Sequence, residues 1–420
     1  MATDLQAPAL PALRRARAGV AACFFTNAVL FANLVPRYPE VKDRLGLSNA
    51  AFGAALAAFP LGSLLAALSA GALIRRFGSA RLASSGLVLL AVALWAAAVA
   101  PAWWVLAAAL LVGGALDAVV DVAQNAHGLR LQRHYGRSIL NAFHGVWSIG
   151  AVTGGLLGSA AAGLGVPLAV HLAVSTAVFS VLALLSARLM LPGSDTADRA
   201  PDRLPGDAAP GHATSGDAAA GRGSVRRAAV PMLGALGVLV VCGAFVEDAG
   251  ASWSALYLRN DLGAGAAVAG LGFVALQSAM TIGRLTGDRV VDRFGQRRVA
   301  RAGGVAIAGG MGLALTFPSV PATLAGFALA GLGVATLIPA VFAAADAPSG
   351  LPHGTGLAVS NWLMRIGFLL SPPLIGLVAD AAGLRTALLT VVLAGAGVLV
   401  LGRVPRTSVG PERTPARPDQ

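Results

Sequence analysis

Carboxylates stand in the middle of a long apolar stretch, where charge is costly, and their spacing indicates proton chemistry. Asp117, Asp121 and Asn125 are spaced four residues apart within the apolar segment 103–126, so on a helix they lie along one face. Two carboxylates on adjacent turns cannot both ionise cheaply in a medium of low dielectric constant, so one of them could exchange a proton near neutral pH. The plainer alternative is that both accept structural hydrogen bonds from neighbouring helices.

Polar residues in three other apolar segments extend this candidate site. His144 and Asp121 lie at similar depths from the same side, so neighbouring helices could pair them for proton relay or substrate binding. The alternative for His144 is a packed histidine with one hydrogen bond. Arg365 needs a counter-charge or an aqueous cavity unless its long side chain reaches the membrane surface. The predicted substrate-binding residues are Asn27, Asn125, His144, Asn361 and Arg365.

Two further groups of ionisable residues lie in the second half of the chain. Glu247 and Asp248 are adjacent, and because successive residues on a helix point about 100° apart, only one is expected to face a central cavity. Arg284, Asp288 and Asp292 descend the end of another apolar segment at intervals of four. This position favours a gate at the membrane surface over a substrate site.

Other chemistries have no signature in the sequence. There is no Gly-Lys-Ser/Thr phosphate loop, which disfavours ATP-driven transport, and no clustered His/Cys spacing that would bind a metal. The two cysteines, Cys23 and Cys242, stand alone in apolar segments and predict no disulfide framework. No catalytic motif suggests an enzyme, so neither a metal nor another cofactor is expected.

The elements that must position these residues are membrane-spanning helices. The chain has 420 residues, of which 56% are hydrophobic and 12% are charged, against about 25% charged in soluble domains. A spanning helix needs about 20 apolar residues. Such segments lie roughly at 18–36, 51–73, 82–100, 103–126, 139–160, 167–190, 230–252, 264–286, 299–317, 320–345, 357–378 and 384–402.

The polar segments between the helices predict the domain boundaries and the orientation. A stretch rich in Ala, Gly, Pro, Asp and Arg separates two sets of six helices and has no apolar periodicity, which is typical of a disordered linker. Arginines concentrate in the loops on one side of the membrane, which predicts that this side is cytoplasmic. This arrangement explains the net charge of +12 better than nucleic-acid binding does. The predicted domains are a cytoplasmic N-terminus 1–17, a six-helix bundle 18–192, a cytoplasmic linker 193–228, a second bundle 229–403 and a cytoplasmic tail 404–420.

Three matches at nearly the same offset indicate that the two bundles are repeats. Arg76-Phe77-Gly78 follows the second helix, and Arg293-Phe294-Gly295 follows the eighth, 217 residues later. The two cysteines lie 219 residues apart, and Asn141 and Asn361 lie 220 apart. Paired six-helix halves with a binding site between them are a recurrent plan of secondary transporters.

On these motifs the chain resembles the major facilitator superfamily. That resemblance implies an all-α membrane protein with 12 transmembrane helices in two pseudo-symmetric halves. The segments Arg37-Tyr38-Pro39, Asn141-Ala142-Phe143-His144 and Trp253-Ser254-Ala255-Leu256-Tyr257-Leu258 resemble uncharacterised bacterial inner-membrane members related to fucose-permease-type symporters.

The resemblance also implies roles for individual residues. A Glu a few residues before Trp-Ser-Ala-x-Tyr-Leu favours Glu247 over Asp248, so the predicted proton-coupling residues are Asp117, Asp121 and Glu247. The family's arginine-rich loop implies a cytoplasmic gate, although Arg75 stands where an acidic residue is expected in the first copy. The predicted gate residues are Arg75, Arg76, Gly78, Arg284, Asp288, Asp292, Arg293 and Gly295.

The resulting hypothesis is a secondary active transporter of a small polar solute, proton-coupled and working by alternating access. It predicts a monomeric, multi-pass protein of the bacterial inner membrane whose partners are its substrate, protons and lipid. One alternative is a proton-driven exporter of drugs or metabolites, which Ala151 disfavours because the drug antiporters carry proline there. A second alternative is a non-transporting membrane sensor with a transporter fold.

Overall fold

The computed structural model describes residues 10–193, 218–345 and 355–403. Within these residues, twelve helices are long and apolar enough to cross a membrane, and there are no strands. We number them α1 to α12 in chain order: Leu10–Arg44, Asn49–Phe77, Ser79–Val99, Trp103–Tyr135, Leu140–Gly163, Leu168–Leu189, Met232–Asp261, Ala266–Phe294, Gln296–Thr316, Val320–Ala345, Ala358–Ala382 and Leu384–Leu401. The predicted fold class is confirmed.

The two halves repeat the same helix packing. In the first half α1 packs on α5 and α6, α2 and α3 pack on α4, and α3 packs on α6. In the second half α7 packs on α11 and α12, α8 and α9 pack on α10, and α9 packs on α12. Each of these five pairs in the first half therefore recurs six helices later, as expected for an internal duplication.

The repeated Arg-Phe-Gly motif makes the same turn in both halves. Gly78 has φ 81° and ψ 147°, and Gly295 has φ 81° and ψ 144°, a region that only glycine adopts readily. The guanidinium of Arg76 lies 5.4 Å from the ring centre of Phe77, and that of Arg293 lies 5.5 Å from the ring of Phe294. We call the end of the bundle that carries these turns the arginine-rich end.

Two helices extend into the segments predicted as the N-terminus and the linker. The first helix begins at Leu10, within the predicted N-terminus 1–17, and the seventh continues a helix that begins at Ala218, within the predicted linker 193–228. Both extensions are rich in alanine and arginine, which have high helix propensity even without apolar periodicity. Residues 194–217, the remainder of the linker, and the tail 404–420 lie outside the described residues.

Among the described residues, the closest backbone contacts between the halves lie toward the end opposite to the arginine-rich end. The start of α2 meets the end of α11, where the Pro372 carbonyl abuts Gly53 and the Asn49 carbonyl approaches Gly376. Similarly, the end of α5 at Gly163 meets the start of α8 at Ala267. We call the junction of residues 49–53 with residues 371–380 the closed end.

Candidate functional site

The candidate site in the first half is a hydrogen-bonded chain across three helices. Asn27 on α1 donates from Nδ2 to Asp117 Oδ1 on α4 at 2.8 Å, and Trp147 on α5 donates from Nε1 to Asn27 Oδ1 at 2.9 Å. Asn27 is 5% exposed, so it serves as a link between the carboxylate and the indole. Glycines on α5 bring these helices together, since Gly150 and Gly154 lie directly against the α1 backbone.

Asp121 lies one turn closer to the arginine-rich end than Asp117 and is exposed. Asn125 donates from Nδ2 to the Asp121 carbonyl at 2.8 Å and to Asp121 Oδ1 at 3.0 Å, which directs this amide toward its own helix. His144 on α5 lies within electrostatic range of Asp121, and its ring packs edge-on against Phe24 with 5.3 Å between ring centres. The structure therefore brings the predicted His–Asp pair into proximity.

One cation of the second half lies near these carboxylates. Arg365 on α11 is within electrostatic range of both Asp117 and Asp121, so charged residues of the two halves influence one another between the halves. Asn361 lies one turn before Arg365 on α11 and is partly exposed. Ionisable groups within a membrane normally face such an interior and pair with one another, and this arrangement follows that rule.

Arg284 occupies a different position from the one that its spacing suggests. Its guanidinium lies 3.6 Å from Glu247 Oε2, and the two side chains are 35% and 19% exposed. It also lies within electrostatic range of His144. The predicted gate residue thus pairs with a predicted proton-coupling residue inside the site, whereas Asp288 and Asp292 are exposed further along α8.

Asp248, the next residue on α7, has different neighbours from this ion pair. Its Oδ1 accepts a hydrogen bond of 3.1 Å from Ser252 Oγ, and Ser371 of α11 lies beside the same carboxyl group. The ring of Tyr38, from the end of α1, is also within electrostatic range. Sequence reasoning set Asp248 aside in favour of its neighbour Glu247, although both meet residues of other helices.

Polar contacts between the halves reinforce the closed end. The carboxylate of Asp380 at the end of α11 accepts hydrogen bonds of 2.8 Å from the N–H groups of Asn49 and Ala50 at the start of α2. Arg259 of α7 lies 3.6 Å from Asp43 of α1, which joins the halves at a further point. By contrast, the predicted gate residues Arg75, Arg76 and Arg293 are exposed at the arginine-rich end.

Comparison with known proteins identifies one family over nearly the whole chain. A model of the Major Facilitator Superfamily matches residues 20–247 and again residues 236–420. An uncharacterised transporter, y4wD of Sinorhizobium fredii, is 31% identical over 388 residues, which cover 92% of this chain and 97% of that protein.

Solved structures share the fold at lower identity. The crystal structure of the nucleoside transporter NupG aligns with a TM-score of 0.69 and 16% identity, over 92% of this chain and 97% of that one. The E. coli fucose:proton symporter FucP, in its N162A form, aligns with a TM-score of 0.57 and 20% identity, over 93% of this chain and 98% of that one.

Proposed function

This chain belongs to the major facilitator superfamily, and we propose that it is a secondary active transporter that couples a small polar solute to protons by alternating access. The family establishes a multi-pass membrane protein of the transporter type. The coupling and the substrate class are inferred from the site itself.

The observation that carries the proposal is the position of Asp117 opposite Arg365. The carboxylate belongs to one half and the guanidinium to the other, so rocking of the halves changes the distance between them. A carboxylate that loses its cation inside a membrane costs several kcal/mol, unless it binds a proton or reaches water. The same motion that exposes the site to the other side would therefore change the protonation of Asp117.

The groups around Asp117 favour an uncharged solute with hydroxyl groups. Four exposed or partly exposed polar side chains lie around the site. Asp121, His144, Asn361 and Trp147 together offer hydrogen-bond donors and acceptors. The two arginines nearest the site already have acidic neighbours, Glu247 for Arg284 and Asp117 with Asp121 for Arg365. We propose Asn361 and His144 as substrate-binding residues on this basis, with Asn27 and Asn125 holding the two carboxyl groups in place.

Transport assays with purified protein test the function. We expect a member of a panel of nucleosides, deoxyhexoses, pentoses and polyols to accumulate in proteoliposomes under an imposed pH gradient, and an uncoupler to abolish the accumulation. Protein-free liposomes provide the control. If the uptake of a substrate depends on neither the pH gradient nor the uncoupler, the transport is not coupled to protons.

The proposed orientation places both termini in the cytoplasm of a bacterium, with the arginine-rich end facing inward and the closed end outward. The described conformation would then be inward-facing, and Arg75, Arg76, Arg293 and the acids Asp288 and Asp292 would form the gate when that end closes. The protein would act as a monomer.

Reporter fusions test this orientation. A reporter fused after Arg227 or at the C-terminus is expected to be active as a cytoplasmic fusion, and one inserted near Leu47 is expected to report the outside. A translocated C-terminus would contradict the arrangement and would place the closed end in the cytoplasm.

A further inference from the structure

Asp248 occupies a buried site that the transport of the solute, as described above, does not use. Its Oδ2 atom and the Oγ atom of Ser371 are both buried, and neither forms a hydrogen bond within the described part of the chain. The ionisable groups within range of the carboxyl are Glu247 and Tyr38, both of which are acids. Among the residues that the structure describes, neither of these groups is the cation that a buried carboxylate normally needs.

The adjacent residue provides the contrast. Glu247 lies next to the guanidinium of Arg284, at 3.6 Å from its Oε2 atom. Arg284 therefore pairs with Glu247 and not with the adjacent Asp248. An uncompensated charge on Asp248 would cost several kcal/mol in this environment, and a bound proton would remove that cost.

The surroundings of Asp248 are part of the closed end. Ser371 immediately precedes Pro372, whose carbonyl abuts Gly53 of α2. On the other side, the rings of Tyr38 and Phe52 pack edge-to-face at 5.6 Å, and those of Phe52 and Trp253 at 6.2 Å. Separation of α2 from α11 would remove Gly53 and Phe52 from this cluster and admit water to Asp248.

We propose that Asp248 is a second proton-binding site, which holds a proton while the closed end is shut and releases it to water when that end opens. The inference rests on the proposed function, because it presupposes a transporter whose two ends open alternately. It adds a protonation site that controls the opening of the closed end and is separate from the proton exchange proposed at Asp117.

The direction of the expected pH response separates Asp248 from the other titratable groups at the closed end. Protonation of Asp248 removes a charge that requires water, so acid favours closure. Protonation of Asp380 would remove an acceptor from the N–H groups of Asn49 and Ala50, so acid acting there favours opening.

Spin-label distances across the closed end test the proposal without any substrate. Labels at Lys42→Cys and Ala381→Cys, with Cys23 and Cys242 replaced by Ala, report closure in lipid nanodiscs. We expect the short-distance population to decrease as the pH rises. In Asp248→Asn, which resembles the protonated form, the short distance should dominate at every pH.

Two variants serve as controls. Asp248→Glu keeps a titratable group and should keep a pH-dependent distance with a displaced midpoint, which also shows that the site tolerates substitution. Glu247→Gln removes the adjacent acid and should keep the response. If the distance in Asp248→Asn follows the wild-type pH dependence, the inference is wrong. The proposal of proton-driven transport would still stand, because it is tested separately by uptake in proteoliposomes.

Discussion

Asp117→Asn is expected to abolish accumulation of the solute against its gradient while exchange across the membrane continues. Asn is close to Asp in shape, and its side-chain carbonyl can still accept the hydrogen bond from Asn27. The Asn side chain cannot bind or release a proton, so the halves can rock without moving a proton together with the solute. Because one proton per solute supports a concentration ratio of about tenfold per pH unit, the ratio should fall from that value to about one. The measurement is radiolabelled uptake in proteoliposomes with an imposed pH gradient, alongside equilibrium exchange.

Glu247→Gln tests the competing assignment in the second half. It removes the partner of Arg284, and the unpaired guanidinium then remains close to His144. We expect slower transport that still responds to the pH gradient. If Asp117→Asn accumulates solute as the wild type does and Glu247→Gln does not, the coupling site is in the second half and the assignment to Asp117 is wrong.

The helices could be predicted because each depends on a local property, a run of apolar residues long enough to span the membrane. The apolar runs did not show where the helices continue beyond the bilayer. Predictions that end near 73, 126 and 286 correspond to helices that continue to Phe77, Tyr135 and Phe294. These last turns carry arginines that favour a helix but interrupt the apolar pattern.

The site was harder to predict because its contacts join distant helices. Spacing gives the depth of a residue along a span, which is why Asp117 and His144 could be chosen, but it does not give the rotation of one helix against another. Asn27 donates a hydrogen bond to Asp117 over a separation of 90 residues. Trp147, which completes that chain of hydrogen bonds, is uncharged, so its type gave no sign of a role in the site. The rotation of α8 likewise decides that Arg284 meets Glu247.

Gly53→Ala is expected to impair every mode of transport, including exchange, because it obstructs the closed end. A methyl group at this position would overlap the carbonyl of Pro372 and approach the Cα atom of Pro373, and backbone atoms cannot rotate away as a side chain can. Overpacking typically costs about 1–3 kcal/mol, and that free energy shifts an equilibrium by about 5-fold to 150-fold. The penalty applies only when α2 and α11 meet, so we expect it to depopulate the closed state by a comparable factor.

Two glycines provide the matched comparison. Gly309 lies within α9, and a methyl group there would meet no atom within 4 Å, so Gly309→Ala should transport like the wild type. Gly376→Ala would press against the Asn49 carbonyl from the other side of the same junction and should reproduce the defect of Gly53→Ala. The measurements are initial rates of uptake and exchange, with the spin-label distance across the closed end as a direct readout. If both junction variants exchange solute at the wild-type rate, direct contact of α2 with α11 is not required for transport, and the closed end described here would lie outside the transport cycle. Loss of exchange in both, with Gly309→Ala unaffected, would show that the solute crosses only when this junction can form.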